Sequence, residues 1–406
     1  MAGRFSSRLR ATAAAAAALA AAGTLSTTLW AQTPAGAPIK IGVLTALSGA
    51  YVPFGQPLFD GVRLAVEEVN AQGGVEINGV KHPVQIVERD TRSDVNTAVT
   101  GVTALVRDSG VKFVIGPATG IETSAAQEIT QRAKVIHMTA ASNLQGVLTK
   151  ENTAPGGNRR HLFMTQAAAD TRERATVKAS LRFFDNPKLH AVIISNDSNG
   201  DFIGKKVVEA IEQTGAKLAL PTVLYEPGTT DYSSYLTKIK AAKADHLHVW
   251  WLPTDGINIL QQARQLEAAQ SYFVFGLEPV DVTQRLGSSA DRVLISCSPI
   301  CRSITTTPES KDFWERYTKL LGPNQKFGAA AGGAAWYYEA TRMLLKAMQD
   351  ARSTEDSEKI ATALADVKMK GPLGTVGFNE RHIFVHGYDF CLFTAGTAKC
   401  EHVAAP

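Results

Sequence analysis

Residues Val111–Thr139 read "VKFVIGPATGIETSAAQEITQRAKVIHMT", and this stretch decides the architecture. An apolar, β-rich run stops at Gly116-Pro117 and a small-residue loop, Ala118-Thr119-Gly120, follows. A helical pattern then leads into a second strand-like run, "KVIHMT". Strand, helix and strand of this length form the repeating unit of a parallel sheet, whose neighbouring strands need a long crossover. The loop also poses a chemical question. The first N–H groups of a helix have no intrahelical partner and carry partial positive charge. Glycine lets a ligand approach them closely, so an anion, most simply a carboxylate, suits Thr119 and Gly120. The alternative is a helix capped by its own threonine.

Working outward, the alternation is regular. "IKIGVLTAL" is β-rich, and "QPLFDGVRLAVEEVNAQGG" spaces Leu58, Val62, Ala65, Val66 and Val69 as one helical face before a glycine stop. "HPVQIVERD" is a strand, and "SDVNTAVTGVTALVRDSG" is a helix opened by Ser93 or Asp94. After the irregular stretch "KENTAPGGNRR" the pattern repeats from "LHAVIIS" to "YFVFG". Helices are expected at Lys311–Leu321, Ala329–Gln349 and Ser353–Asp366, then short strands to the end. The fold class is α/β, with two units built on parallel-rich sheets covered by helices.

The 406 residues carry a formal net charge of +4, with 45 % hydrophobic and 20 % charged residues. That is a globular composition with no basic stripe for nucleic acid. Residues 1–31 differ: Arg4, Arg8 and Arg10 precede the small apolar run "ATAAAAAALAAA", and polar residues follow. This is the layout of a secretory signal peptide with its cut after Ala31. Its core is too short for a bilayer span of ~20 residues. The first cysteine is Cys297, so no thiol near the cut can be lipidated. The mature chain is expected to be periplasmic, without direct membrane insertion.

Export permits disulfides. "YDFCLFTAGTAKCEH" reads as a hairpin that sets Cys391 opposite Cys400, leaving Cys297 with Cys301. Neither gap suits the closely spaced thiolate pairs of a zinc site. No nucleophile elbow, phosphate loop, dinucleotide fingerprint or H-E-x-x-H is present, so no cofactor, metal or catalytic residue is expected. His246 and His248 share one face of a strand and are read as a core pair.

Candidate ligand contacts lie where strands end, because open α/β sheets bind ligands outside their carboxyl edges. Ser48, Gly49 and Tyr51 end the first strand, and Ala141, Ser142 and Asn143 follow "KVIHMT". Glu278 in "FGLEPVD" is either a partner for a ligand ammonium or a surface carboxylate. Of Trp250 and Trp251, one is placed to reach a cleft.

Four stretches carry a family resemblance: "IKIGVLTALSGAYVPFGQPLFDGVRLAVEEVNAQGG", "ERDTRSDVNTAV", "VKFVIGP" and "KGPLGTVGFNE". They resemble the type I periplasmic solute-binding proteins of branched-chain amino-acid ABC transporters, over nearly the whole mature chain. The resemblance implies two Rossmann-like lobes joined by a three-crossing hinge that closes like a Venus flytrap. Lobe one would be residues 39–162 plus 294–370, and lobe two 163–293 plus 371–406. It also implies that Thr119-Gly120 and Ala141-Ser142-Asn143 bind a carboxylate and an amino group. Glu278 would pair with the ammonium, and Phe54 would line the side-chain pocket. An inner-membrane ABC permease would be the partner. Three departures stand out: Gly120 replaces a frequent serine, Asn199 replaces an aromatic lid, and Gly332-Gly333 replaces bulk. They widen the choice from amino acids to aromatic acids or amide- and urea-type solutes. A ligand-sensing subunit for a signalling partner is a further alternative, as is an exported α/β enzyme.

Overall fold

The computed structural model describes residues 36–250, 253–297, 299–322 and 329–404, and of Ser142, Ser198, Asn199, Pro253, Thr254 and Ala329 only the backbone. The leader expected at residues 1–31 and Trp251 fall outside the described residues. The chain from Pro34 forms one compact unit.

Its first half alternates strand and helix as the sequence requires: β1 (Ile39–Thr45), α1 (Val52–Ala71), β2 (Val84–Asp90), α2 (Val95–Arg107), β3 (Phe113–Ile115), α3 (Gly120–Arg132), β4 (Ile136–Thr139) and β5 (Leu162–Met164). A small hairpin, Val75–Ile77 with Val80–His82, is inserted before β2. All five strands are parallel, in the order β2-β1-β3-β4-β5. Asp94 caps α2, its side chain accepting from the Thr97 N–H.

The second half repeats the scheme: α4 (Ala169–Phe183), β6 (Leu189–Ser195), α5 (Ser198–Glu212), β7 (Val223–Tyr225), α6 (Ser233–Ala241), β8 (His246–Val249), α7 (Pro253–Gln265), β9 (Ser271–Phe275), α8 (Pro279–Leu286) and β10 (Val293–Ser296). Helices on both faces bury the central strands β8 and β10 completely, which is why they read as apolar runs rather than alternating ones. In β6 every residue after Leu189 is buried. Each fully buried Val, Ile or Leu side chain contributes roughly 1.5–3 kcal/mol. The parallel order is β7-β6-β8-β9-β10, the same strand order as in the first sheet.

Three long helices follow: α9 (Pro308–Leu321), α10 (Ala334–Ala351) and α11 (Ser357–Asp366). They return to the first sheet's side. The Arg63 guanidinium on α1 donates to the Leu320 carbonyl at 3.1 Å, and the Tyr338 hydroxyl to Glu68 at 2.8 Å. Next come β11 (Lys368–Gly371), β12 (Gly374–Phe378) and β13 (Phe384–Val385), a small antiparallel sheet. The chain ends in the hairpin β14 (Tyr388–Thr394) and β15 (Thr397–Val403), which adds antiparallel strands beside β10.

β5 continues to Met164 in the first sheet, and β10 belongs to the second. Passages between the sheets therefore lie after Met164, after Ser296 and before Tyr388. A buried histidine ties two of these passages together. The His386 Nε2 accepts from the Ala167 N–H at 3.2 Å and the Trp336 indole at 3.1 Å, while Nδ1 donates to the Gly387 carbonyl at 2.7 Å. Burial lowers its pKa to about 4 and keeps it the neutral acceptor this arrangement needs.

Both expected disulfides are present. In register, Cys391 faces Cys400 across β14 and β15, and Cys297 joins Cys301 just past β10. The two bridges touch, Cys301 Sγ lying 3.4 Å from Cys391 Sγ. His246 and His248 are core residues; His248 stacks on His190 of β6, whose Nδ1 lies 2.9 Å from His248 Nε2, and His246 meets His190 edge-on.

α4 is an element that hydrophobic periodicity does not reveal. Its buried face consists of Ala169, Arg172, Glu173, Thr176, Val177, Ala179 and Ser180, nearly all small or polar. Arg172 and Glu173 form a buried bidentate pair, and the guanidinium lies 4.9 Å from the centre of the Phe275 ring.

On α10, Glu339 is wholly buried with Arg342 as its partner, and burial raises its pKa to about 7. A raised carboxyl supports the fold fully below its unfolded value near 4.5 and loses that support as pH rises through 7. At ~1.36 kcal/mol per unit, the ionised form costs about 3 kcal/mol at pH 8. Glu339→Gln is therefore expected to gain stability over wild type as pH rises from 5 to 8. Thermal midpoints measured across that range test this; a constant difference would refute the buried-carboxylate account.

Candidate functional site

In both sheets the order reverses beside the first strand, between β1 and β3 and between β6 and β8. Connections leave in opposite directions there and open a crevice at the carboxyl edge. The candidates distribute accordingly. Tyr51 and Phe54 lie at the start of α1, Thr119 and Gly120 at the start of α3, and Ala141, Ser142 and Asn143 in the turn after β4. β1, β3 and β4 are adjacent, so the first sheet brings these seven residues to one edge. Asn199 opens α5 after β6, Trp250 follows β8, and Glu278 precedes α8 after β9, again adjacent strands. A groove of about 650 Å3 between Lys150, Arg160, Phe378 and His382 includes none of these loops. Topology rather than groove size points to the candidate site.

The α3 mouth is built by two glycines. Gly116 has φ +92°, and a Cβ there would fall 2.1 Å from the Leu44 carbonyl, so no side chain fits. Its carbonyl accepts from the buried His137 Nε2 at 2.6 Å. A Cβ on Gly120 would fall 2.4 Å from Asn143 Oδ1. Asn143 thus fills the space a serine at 120 would need, which accounts for one departure from the resembled pattern.

Thr119 does not cap its own helix. Its hydroxyl instead donates to the Glu122 carboxyl, leaving the first-turn N–H groups without a capping oxygen. Glu122 is buried, and burial raises its pKa, against the pull of the Thr119 and Thr91 hydroxyls. Sequence reading missed this residue. The signal was present as the T-x-x-E spacing from Thr119 to Glu122, which usually marks a capping box. Ser48 is engaged as well, donating to Asp90 Oδ2 at 2.7 Å, while the Ser93 hydroxyl accepts from the Tyr51 N–H at 2.8 Å.

Across the second sheet, Trp250 is buried and stacks on Phe275 with ring centres 4.9 Å apart. Glu278 is only 3 % exposed and holds its own loop. Oε1 accepts from the Arg302 N–H at 3.0 Å; Oε2 accepts from the Ser303 N–H and hydroxyl, both at 3.1 Å. It is not a surface carboxylate. Burial raises its pKa, and the two backbone donors counter that. Oε1 retains a lone pair for a further donor. The Cys297–Cys301 bridge closes the turn that presents these amides.

Two doubly wound parallel sheets of identical order, each with loops and helix starts at one edge, define a type I two-lobed solute-binding fold. The chain belongs to the periplasmic binding protein family, whose model, described as "Periplasmic binding protein", matches residues 38–396. It is 25 % identical to the Leu/Ile/Val-binding protein BraC3 of Rhizobium johnstonii, over 85 % of this chain and 88 % of that one. The branched-chain amino acid transporter substrate-binding protein LivJ from Streptococcus pneumoniae, solved with isoleucine, matches at TM-score 0.72 and 21 % identity. That match covers 90 % of this chain and 99 % of that one. An ABC transporter solute-binding protein from R. palustris, solved with 4-hydroxybenzoate, matches at TM-score 0.74 and 19 % identity, covering 91 % and 98 %. Among the described residues no helix is long and apolar enough to cross a membrane.

Glu278→Ala strips the acceptor from the Arg302 and Ser303 amides, and hydrogen bonds to a charged group are each worth about 1.5–3 kcal/mol. The ligand-free variant is expected to unfold at least 1.5 kcal/mol more easily by urea titration. Unchanged stability would mean that Glu278 serves a ligand alone.

Proposed function

We propose that this chain is the exported receptor of an ABC importer and captures a small carboxylate-bearing solute, an amino acid first of all. The observation that carries the reading is the uncapped mouth of α3 at the switch point of the first sheet. The solute carboxylate meets the first-turn amides of α3 and the Thr119 hydroxyl. Asn143 and the Ala141–Ser142 backbone take the amino group from the neighbouring loop, with Tyr51 and Phe54 beside the side chain. Glu278 offers its remaining lone pair from the second sheet. Lobes built on the two sheets close about the passages near His386, and ligand shifts them toward the closed form by its preference for it. An inner-membrane permease receives the closed receptor, and a cleaved leader delivers it to the periplasm. The names of the amino-acid-binding relatives support this choice of solute.

A second reading, a receptor for aromatic acids, draws on Ile121, 54 % exposed in the first turn of α3, and on the Trp250–Phe275 stack. Apolar and aromatic faces of this kind suit a ring. The relative solved with 4-hydroxybenzoate gives the same hint.

Thermal unfolding of the mature chain against L-leucine, L-isoleucine, L-valine, L-threonine, benzoate, 4-hydroxybenzoate and urea separates these readings. A ligand at ~100 times its Kd stabilises by about 2.7 kcal/mol, and each kcal/mol raises the midpoint by ~2–4 °C. Amino acids alone should raise it under the first reading, and aromatic acids alone under the second. A shift with urea alone, or none at all, would overturn both.

A further inference from the structure

We infer that Glu122 is a positioning residue whose protonated carboxyl turns the Thr119 hydroxyl toward the solute, so that carboxylate capture takes up one proton. The inference rests on the carboxylate reading above and adds a residue and a proton to it.

Thr119 has a single hydroxyl proton to give. In the ligand-free chain it goes to Glu122 Oε2, so it cannot also reach an arriving carboxylate. Glu122 is 1 % exposed, and its Oε1 is fully buried with no hydrogen-bond partner. A carboxylate with one buried oxygen unsatisfied is costly, whereas the neutral acid needs less. When protonated, Glu122 donates to Thr119 Oγ1, and the Thr119 proton is released toward the helix mouth.

The groups around Glu122 favour that proton. Asp90 at the end of β2 and Asp94 at the start of α2 are both acidic. Thr91 between them and Tyr337 on α10 are neutral. Burial raises the pKa most, the Thr119 and Thr91 hydroxyls oppose it, and the two aspartates raise it further. The positive end of α3 favours an anion nearby, and either Glu122 or the solute can supply it. A bound carboxylate takes over that field and sets a like charge beside Glu122. Solute and proton therefore strengthen each other's binding, and the coupling is reciprocal. The step is balanced: the solute enters ionised, one proton from solvent joins Glu122, and no covalent bond between heavy atoms changes.

The test is isothermal titration of the mature chain with L-isoleucine and with 4-hydroxybenzoate from pH 5 to 7.5, where the solute carboxyl stays ionised. For whichever solute binds, wild-type affinity is expected to fall by up to about tenfold per pH unit above the Glu122 pKa. Proton uptake, read from buffers of different ionisation heat, rises toward one as the pH climbs above the Glu122 pKa. Glu122→Gln, whose amide N–H permanently mimics the acid, is expected to hold its Kd constant and bind more tightly than wild type at pH 7.5. Thr119→Val should bind weakly at every pH with no slope, and it decides the matter if Glu122→Gln does not fold. A solute that binds wild type with a flat Kd, or a slope that survives in either variant, overturns the inference alone. Failure of both solutes to bind at any pH overturns the receptor reading and the inference with it.

Discussion

The structure depends on one constraint: each parallel strand ends by feeding a helix whose first N–H groups have no partner of their own. Two sheets place those ends along one edge and reverse direction beside β1 and β6, so the unpaired amides gather at crevices. At α3 the usual remedy, a capping hydroxyl, is withheld because Thr119 turns to Glu122. The helix start is left able to receive an anion. Gly116, packed against the Leu44 carbonyl, lets the chain turn into that position, and His137 secures its carbonyl from below.

Buried polar groups elsewhere do mechanical work of the same kind. Glu278 stitches the turn after β10 through backbone amides, and the Cys297–Cys301 bridge shortens that turn. His386 holds two inter-sheet passages to α10 by staying neutral. Arg172 and Glu173 satisfy one another beneath the Trp250–Phe275 stack. Apart from that adjacent pair, each draws its partners from a different part of the chain, and removing one partner leaves the other buried and unpaired.

Much of the fold was legible. The central strands of both sheets are apolar runs because both faces are covered, whereas the edge strand β2 interleaves polar residues, and most helices between them carry apolar stripes. The C-terminal hairpin followed from the spacing of Cys391 and Cys400 around Gly396. α4 was not legible, because it buries alanine, threonine, serine and an ion pair, which no hydrophobic period reveals. The sheet to which β5 and β10 belong was not legible, since three- and four-residue strands take their sheet membership from pairing rather than from composition.

The sequence by itself determined that the chain is α/β, that its sheets are parallel and which loops end the strands, and its spacing suggested the cysteine pairing that the structure supplies. Local hydrophobic patterning and short-range spacing suffice for these. Only the tertiary structure decided that the Asn143 side chain packs where a Cβ on Gly120 would fall, that Thr119 gives its proton to Glu122, and that Glu278 is tied to the Arg302–Ser303 amides. Hydrogen-bonding capacity can be read from a residue's type, but where it is spent depends on which neighbours burial brings within 3 Å or so. At this site those neighbours come from loops and strands far apart in the chain, or from a side chain that leaves its expected cap.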